Sequence, residues 1–474
     1  MAVEPKILSA AEVKAMIVSG AEMALIDLRE EGTFGDAHLL FAVPLPLSRL
    51  EMTADDMLPR QGVPIVLCAG GDGDDDLGAR GAERLAGFGY SDISILDGGV
   101  RGWGEAGFEV FSGVNVPSKA FGEVIETRFK TPHIKAAELQ AMKDRGENMV
   151  IVDSRPMSEY NNMSIPGGID VPGAELALRI HDIAPDPATT VVVNCAGRTR
   201  SIIGAQSLIN AGIPNKVVAL ENGTMGWHLS GFTLDRGQTA SFPAVSDEGL
   251  TRAQDCADRV TARFGISEID TATLEEWRND TTRTLYVLDV RDGAEFEAWH
   301  LADAKPAPGG QLVQATDRYV AVRGARLVLV DDNGVRARMS ASWLVQMGWG
   351  DVHVLKDGLD GAALVSGPHQ PHIFSLIEAA PQTVEPNELA AMMSVGGAIV
   401  VDLTDSREHR RGHIPASRFA IRANLPGNLD AIPDTAKIVL TSPDGVLAGL
   451  AAADAASSGC DVRVLAGGTA AWGA

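Results

Sequence analysis

One framework of apolar segments and turn residues occurs four times along this chain of 474 residues. Each copy opens with a short apolar segment that ends in aspartate. A second apolar segment, a helical pattern and a glycine-rich turn then follow in the same order. The opening segments end at Asp27, Asp153, Asp289 and Asp402, and the second segments begin at Ile65, Val191, Leu327 and Ile438. The repeat therefore predicts four similar domains rather than one large core.

Apolar segments that alternate with helical patterns are typical of parallel sheets covered on both faces by helices. We therefore predict an α/β protein of four tandem domains, each a small, mostly parallel sheet flanked by helices. The predicted domains cover residues 1–113, 127–235, 262–367 and 382–474.

The segments that join the predicted domains lie at about residues 112–128, 233–262 and 367–383. In the second of these, apolar residues recur at helical spacing and predict an inter-domain helix. They are Leu250, Ala253, Ala257, Val260 and Phe264. Cys256 falls on the same pattern, which favours a packing role for it over a chemical one.

The net charge of −23 limits the partners that this chain can bind. An acidic surface repels nucleic acids and anionic membranes, so neither is an expected partner. The sequence also lacks the features of a signal peptide and an apolar run long enough to span a bilayer. We therefore expect a cytoplasmic protein, and a homodimer is left open.

The four cysteines, Cys68, Cys195, Cys256 and Cys460, lie far apart and form no CxxC pair. This spacing argues against a zinc site and against a disulfide framework, and it fits a reducing compartment. No metal and no cofactor are expected.

The second copy contains a cysteine segment that the other copies do not complete. It follows the apolar run that ends at Asn194 and precedes a helical pattern over residues 202–208. Backbone N–H groups converge at such a strand-to-helix turn, and the helix dipole favours negative charge there. Both effects lower the pKa of a thiol and make it a usable nucleophile. The segment, here named the Cys195 loop, is Cys195, Ala196, Gly197, Arg198, Thr199, Arg200 and Ser201.

Charged residues in and beside the Cys195 loop indicate an anionic substrate. Arg198 and Arg200 offer charge-assisted and bidentate contacts to a sulfonate-like group. Arg155 follows Asp153 at the end of the first apolar segment of the same copy. Two roles are open for Arg155: it braces the loop or pairs with Asp153, or it contacts the substrate directly.

This ordered set of motifs resembles the rhodanese family of sulfurtransferases. The set comprises Asp-x-Arg, a His/Ser-Ile-Pro-Gly turn such as that at Ser164, the cysteine loop and the glycine/tryptophan turn. The resemblance implies four tandem rhodanese-like domains, with the catalytic motif complete only at Cys195. It also implies a thiosulfate sulfurtransferase whose Cys195 takes a sulfane sulfur, releases sulfite and passes the sulfur to cyanide, a thiol or a protein.

Two other functions remain open. One is a cysteine-dependent phosphatase or arsenate reductase, but those related sites have five residues between cysteine and arginine, whereas four separate Cys195 from Arg200. The other is a non-catalytic binding scaffold, since the remaining copies have lost the nucleophile. Alignment from the following helix places Asp331 and Ser442 at the cysteine position of the third and fourth copies.

The first copy is ambiguous, because Cys68 follows its apolar segment as Cys195 does. The loop after Cys68 is about four residues longer, has no arginine and carries four aspartates. Those carboxylates would repel an anionic donor and raise the pKa of a thiol. We therefore expect the first copy to be inactive.

Overall fold

The four repeats fold into sheets whose strands follow one spatial order. The computed structural model describes residues 5–70, 76–356, 358–359, 361–375, 381–425, 437–457 and 462–473. In each repeat the order is first, fifth, fourth, second and third principal strand, and every neighbouring pair of these is parallel. The predicted α/β fold of four repeats is confirmed. Cys460 and the aspartates Asp72, Asp74 and Asp75 lie outside the described residues.

The first repeat has five parallel strands, and a short strand from the third repeat extends its sheet. The strands are β1 (Lys6–Leu8), β2 (Met23–Asp27), β3 (Val43–Pro44), β4 (Ile65–Cys68) and β5 (Ile93–Leu96). The helices are α1 (Ala10–Ser19), α2 (Glu31–Asp36), α3 (Leu50–Met57), α4 (Leu77–Gly87) and α5 (Gly99–Glu105). The first predicted linker forms a helix, α6 (Val116–Phe129).

The second repeat contains the Cys195 loop, which directly follows its central strand. Its strands are β6 (His133–Ile134), β7 (Met149–Asp153), β8 (Gly168–Asp170), β9 (Thr190–Asn194) and β10 (Val217–Leu220). Its helices are α7 (Ala136–Asp144), α8 (Met157–Asn162), α9 (Leu176–Ile183), α10 (Thr199–Ala211) and α11 (Gly223–Leu229). Val191 and Val193 pack in one apolar cluster and Val192 in another, so both faces of β9 are covered.

The inter-domain helix predicted between the second and third repeats is present as α12 (Asp247–Phe264). It packs on α9, and Ala253, Ala257 and Val260 are fully buried. Cys256 is buried on the same face, and burial raises the pKa of its thiol. The packing role predicted for Cys256 agrees with this position.

The third repeat has the same core with three additional short strands. Its strands are β11 (Ser267–Ile269), β12 (Leu285–Asp289), β13 (His300–Leu301), β14 (Lys305–Pro306), β15 (Val322–Arg323), β16 (Arg326–Val330), β17 (Val352–Leu355) and β18 (Leu364–Val365). Its helices are α13 (Thr271–Arg278), α14 (Gly293–Ala298), α15 (Gly309–Gln314) and α16 (Val335–Gln346). Strand β15 pairs antiparallel with β2 of the first repeat.

The fourth repeat follows the third and has the same five-stranded core. Its strands are β19 (Thr383–Val384), β20 (Ala398–Asp402), β21 (Arg418–Phe419), β22 (Lys437–Thr441) and β23 (Val462–Leu465). Its helices are α17 (Pro386–Ser394), α18 (Ser406–Arg411), α19 (Val446–Ser457) and α20 (Gly468–Trp472). Short 3-10 helices occur at Leu47–Arg49, Thr316–Arg318 and Arg422–Asn424.

The chain divides into two compact units. The first is Met1–Asp27, Gly32–Pro44 and Met57–Gln370, and the second is Leu28–Glu31, Leu45–Asp56 and Pro371–Ala474. Within the second unit, the buried guanidinium of Arg422 donates to both carboxylate oxygens of Glu51, at 2.8 Å each. The boundaries of the four sequence domains stay a prediction. No helix among the described residues is long and apolar enough to cross a bilayer.

Two buried carboxylates lie side by side at the ends of β7 and β8, where Asp153 is in register with Asp170. Burial raises the pKa of Asp170 to about 7, and the Asp153 carboxylate adds to the increase. In the folded protein, Asp170 therefore holds its proton at pH values where an unfolded chain has lost it.

We expect Asp170→Asn to increase the free energy of unfolding by about 1–3 kcal/mol at pH 8 and to change it little at pH 4. The folded pKa lies above the unfolded one. The stability contributed by the protonated group is therefore complete below about pH 4 and is lost as pH rises toward 7. Calorimetric melting of the full chain at both pH values checks this. Glu138→Gln, an exposed carboxylate of the same repeat, is the matched control. If Asp170→Asn changed the free energy of unfolding equally at both pH values, the raised pKa of Asp170 would be contradicted.

Candidate active site

Cys195 is the first residue after the central strand β9 and lies four residues before the first residue of α10, Thr199. The helix begins three residues earlier than the apolar pattern predicts. The thiol-bearing residue is buried, with 2% of its surface exposed. It thus lies at the carboxyl end of a parallel sheet, beside the unpaired amides of a helix N-terminus.

A chain of hydrogen bonds fixes the backbone of Cys195. The Asn194 amide donates to Asp153 Oδ2 at 2.7 Å and to Thr224 Oγ1 at 3.0 Å. The Thr224 hydroxyl in turn donates to the Cys195 carbonyl oxygen at 3.0 Å, and the Thr224 backbone N–H donates to the same oxygen at 2.8 Å. The base of the loop is therefore held from β7, β9 and the glycine turn together.

The glycine turn approaches this carbonyl too closely for any side chain. Gly223 has φ of +53°, and a Cβ at that position would overlap the Cys195 carbonyl oxygen. The other repeats show the same contact between a left-handed glycine and one carbonyl oxygen. The pairs are Gly99 with Ala69, Gly358 with Asp331, and Gly468 with Ser442.

This contact identifies the residue of each repeat that is equivalent to Cys195. It corrects the alignment of the first repeat. Asp331 and Ser442 stand there as predicted. In the first repeat, however, the equivalent residue is Ala69, and Cys68 is the last residue of β4, in register with Asp27. Asp153 pairs in the same way with Asn194, so Cys68 corresponds to Asn194.

Because side chains alternate between sheet faces, the one-residue offset directs Cys68 away from the loop position. Cys68 is fully buried in an apolar cluster with Leu25, Val66 and Trp103. The prediction that Cys68 follows its strand as Cys195 does is therefore wrong.

Asp153 and Arg155 form a buried ion pair behind the loop. Arg155 Nε and Nη2 donate to the two Asp153 carboxylate oxygens at 2.8 and 2.7 Å, and Nη2 also donates to the Met163 carbonyl at 2.7 Å. Arg155 is 1% exposed. Of the two roles that the sequence leaves open, this geometry favours bracing, since the guanidinium is already engaged by the protein.

Arg200 is held by a carboxylate of its own repeat. It donates to both oxygens of Glu159 on α8, at 2.7 Å each. Burial alone would lower the pKa of Arg200, but the bonds to Glu159 outweigh it and the net shift is upward, with a further contribution from Cys195. The third repeat has the same pair, since Arg336 Nη1 lies 2.5 Å from Glu295 Oε2 on α14. Arg200 is therefore positioned by a pair common to two repeats.

Arg198 is held from outside its repeat, by the helix α6. It donates to both carboxylate oxygens of Glu123, at 2.7 and 2.9 Å, and also to Glu126. These bonds raise the pKa of Arg198 and lower that of Glu123. Both loop arginines thus have carboxylate partners, and Arg198, at 40% exposure, is the more accessible.

The remaining loop residues shape the turn. The Ala196 carbonyl accepts from the backbone N–H of Met225 at 3.0 Å, and the Ser201 hydroxyl donates to the Arg198 carbonyl at 2.9 Å. A Cβ on Gly197 would meet no described atom within 4 Å, so the space beside it is open. Thr199 packs against Gly122 of α6, where a Cβ would lie only 2.9 Å from the threonine methyl carbon.

In the third repeat the Asp331 side chain fills its own loop. One carboxylate oxygen accepts from the backbone N–H of Gly334 at 2.8 Å. The other accepts from the backbone N–H groups of Arg336 and Ala337 at 2.9 and 3.2 Å. The spacing from Asp331 to the first residue of α16 equals that from Cys195 to α10. This turn therefore places amides where they bind an anion. In the fourth repeat, Ser442 Oγ accepts from Ala448 N at 3.2 Å.

Several residues around the site were not found from the sequence. They are Glu123, Glu126, Glu159, Asn194 and Thr224. Asn194 was detectable in principle, because it is a polar residue at the end of an apolar strand. The glutamates carry no local signal, because their partners lie far away in the chain. No cluster of three or more metal-ligating side chains occurs among the described residues.

A parallel sheet that presents a cysteine loop at its carboxyl edge, repeated four times with one cysteine retained, defines the class of this protein. The chain belongs to the rhodanese family, and the model of the rhodanese-like domain matches residues 9–106, 135–230, 270–363 and 385–474.

Two known proteins show the extent of the similarity. The crystal structure of a thiosulfate sulfurtransferase from Pseudomonas aeruginosa is 47% identical, with a TM-score of 0.93 over 98% of this chain and 88% of that chain. An HTH-type transcriptional regulator from Mycobacterium tuberculosis is 34% identical over 104 residues. This match covers 22% of the present chain and 45% of the regulator, less than half of its length.

The glutamates of α6 should control which reagents reach Cys195. We expect the double variant Glu123→Gln/Glu126→Gln to speed alkylation of Cys195 by iodoacetate about two- to fivefold at low salt, and to leave the rate with neutral iodoacetamide nearly unchanged. Removing two negative charges lowers repulsion of the anionic reagent and leaves Arg198 unpaired. Peptide mass spectrometry follows Cys195 separately from the other cysteines. Glu83→Gln, an exposed site in the first repeat, is the control. Equal acceleration with both reagents would indicate loosening of the loop instead.

Proposed function

We propose that this protein is a rhodanese-type sulfurtransferase in which Cys195 carries the transferred sulfur. The observation that carries the proposal is a cysteine at the N-terminus of α10, in a loop of fixed length whose base is held by hydrogen bonds. The 47% identity with a thiosulfate sulfurtransferase over nearly the whole chain supports the same activity. The substrates are a small-molecule sulfur donor and a thiophilic acceptor.

The reaction has two balanced steps. In the first, the Cys195 thiolate attacks the sulfane sulfur of thiosulfate. A new S–S bond forms, the S–S bond of thiosulfate breaks, and sulfite leaves with the electron pair. In the second, an acceptor such as cyanide attacks the outer sulfur of the Cys195 persulfide, which gives thiocyanate and restores the thiolate. No proton and no external oxidant or reductant is required.

The loop supplies the groups that this chemistry needs. A persulfide anion on Cys195 lies beside the unpaired amides that begin α10, where the helix dipole favours negative charge. The open space beside Gly197 leaves room for the outer sulfur and the donor. Arg200, fixed by Glu159, adds a positive charge that does not have to be reoriented during the reaction.

Arg198 has a different role in this proposal. It is the more exposed loop arginine, and the position equivalent to it in the third and fourth repeats is glycine, at Gly334 and Gly445. In this proposal, Arg198 enables the second repeat to bind an anionic donor. Its bonds to Glu123 and Glu126 must be exchanged for bonds to the donor when the donor binds.

The other three repeats carry no sulfur in this proposal. Ala69, Asp331 and Ser442 stand at the cysteine position, and none of these side chains can hold a sulfane sulfur. A protein acceptor, a homodimer and a cytoplasmic location stay predictions from the sequence.

Sulfur loading tests the proposal directly. After incubation with thiosulfate, the intact mass of the full chain should increase by one sulfur atom, and Cys195→Ser should show no increase. With cyanide present, thiocyanate formation by Cys195→Ser should fall to the rate without protein, because the variant has no thiolate to attack sulfur.

Cys68→Ser is the matched control, since Cys68 faces an apolar cluster one residue away from the loop position. It should load sulfur and form thiocyanate as the parent does. Loading that survives in Cys195→Ser would overturn the assignment of the site. Hydrolysis of an aryl phosphate that depends on Cys195, without sulfur loading, would support the phosphatase alternative instead.

A further inference from the structure

A cavity lies away from the Cys195 loop, entirely within the first compact unit. It is enclosed by the first repeat, the start of α6 and the third repeat, and has a volume of about 170 Å³. Its wall is largely apolar and rich in aromatic rings. The rings belong to Phe34, Phe41, Phe121 and Trp349.

Arg323 on β15 is the one cationic side chain of this wall. Its guanidinium carbon lies 3.9 Å from the centre of the Phe41 ring and 5.4 Å from that of Trp349. No hydrogen bond or ion pair of its side chain with the described residues is present. An arginine has five N–H donors, so this guanidinium can donate to a ligand while it lies against two aromatic rings.

This arrangement differs from that of four other half-buried or buried arginines of the protein. Arg155, Arg200, Arg336 and Arg422 each pair with at least one carboxylate. For Arg323, burial alone acts on the guanidinium and lowers its pKa. A half-buried cation without a counter-ion is costly, and an anion in the adjacent cavity would remove that cost.

The other polar groups of the wall limit what can bind. Both ring nitrogens of His38 lie within hydrogen-bond distance of backbone carbonyls, those of Leu39 and Gly113. Asp317 already has an interaction partner in the protein. The buried Oε1 of Gln314 accepts no hydrogen bond from any described residue. Arg323 is therefore the charged donor of this wall, whereas Gln314 Oε1 can only accept.

The size of the cavity indicates the size of the ligand. A protein cavity of about 150 Å³ lined by apolar side chains holds a benzene molecule. We propose that this cavity is a binding site for a small organic anion with a body the size of one aromatic ring and a carboxylate or sulfonate group. The apolar body contacts the aromatic wall, and the anionic group accepts from the edge of Arg323.

Isothermal titration of the full chain with three probes of similar size tests the charge requirement. Sodium benzoate and sodium benzenesulfonate carry the two anionic groups, and benzamide is the neutral comparator. We expect at least one of the anions to bind about tenfold or more tightly than benzamide. The tighter of the two identifies the preferred group. Absence of binding by both anions at millimolar concentration, or equal binding of benzamide, would overturn the proposal.

Two variants locate the binding. Arg323→Met keeps the apolar stem and removes the charge, and should weaken anion binding at least about tenfold while leaving benzamide unchanged. Ala120→Phe adds a ring at an exposed position of the cavity wall on α6 and should block all three probes without altering the core. Ala137→Phe, at an exposed position on α7, is its matched control. Anion binding that persists in both Arg323→Met and Ala120→Phe would place the ligand elsewhere, such as at the Cys195 loop, and would overturn the proposal.

Discussion

One backbone contact fixes the functional edge in every repeat: a left-handed glycine lies against the carbonyl oxygen that follows the central strand. In three repeats the next amide also donates to that oxygen, as Thr224 does to Cys195 at 2.8 Å. The contact involves only backbone atoms, so it tolerates any side chain at the position it holds. The loop geometry therefore persists where the nucleophile has been replaced.

The positive charges near Cys195 belong to arginine side chains whose positions are fixed by carboxylates. Arg155, Arg200 and Arg198 all lie near the loop, and each is held by a carboxylate. The pairs of Arg155 and Arg200 are internal to the repeat and fix geometry. That of Arg198 is made by α6, a helix between repeats, so residues outside the second repeat restrain this loop arginine. The same helix supplies part of the wall of the Arg323 cavity.

Much of the fold was predictable because strands buried on both faces leave continuous apolar runs, and four copies of one order are hard to produce by chance. The error at Cys68 has a physical cause: an apolar run does not define its last residue, and an offset of one exchanges the two sheet faces. The contact of Glu123 with Arg198 joins segments far apart in sequence, and nothing local encodes it. Strand β15 is likewise defined by its partner, since two residues carry no periodicity.

The Asp331 loop has a consequence for how the third repeat responds to its surroundings. Its carboxylate occupies amides that in an empty loop would be open to anions from solution. Because that carboxylate is tethered, its effective concentration at the amides is at least of millimolar order, and a free anion must compete against it continuously. The amides of the Asp331 loop are thus occupied by a side chain of the same repeat rather than by an anion from solution.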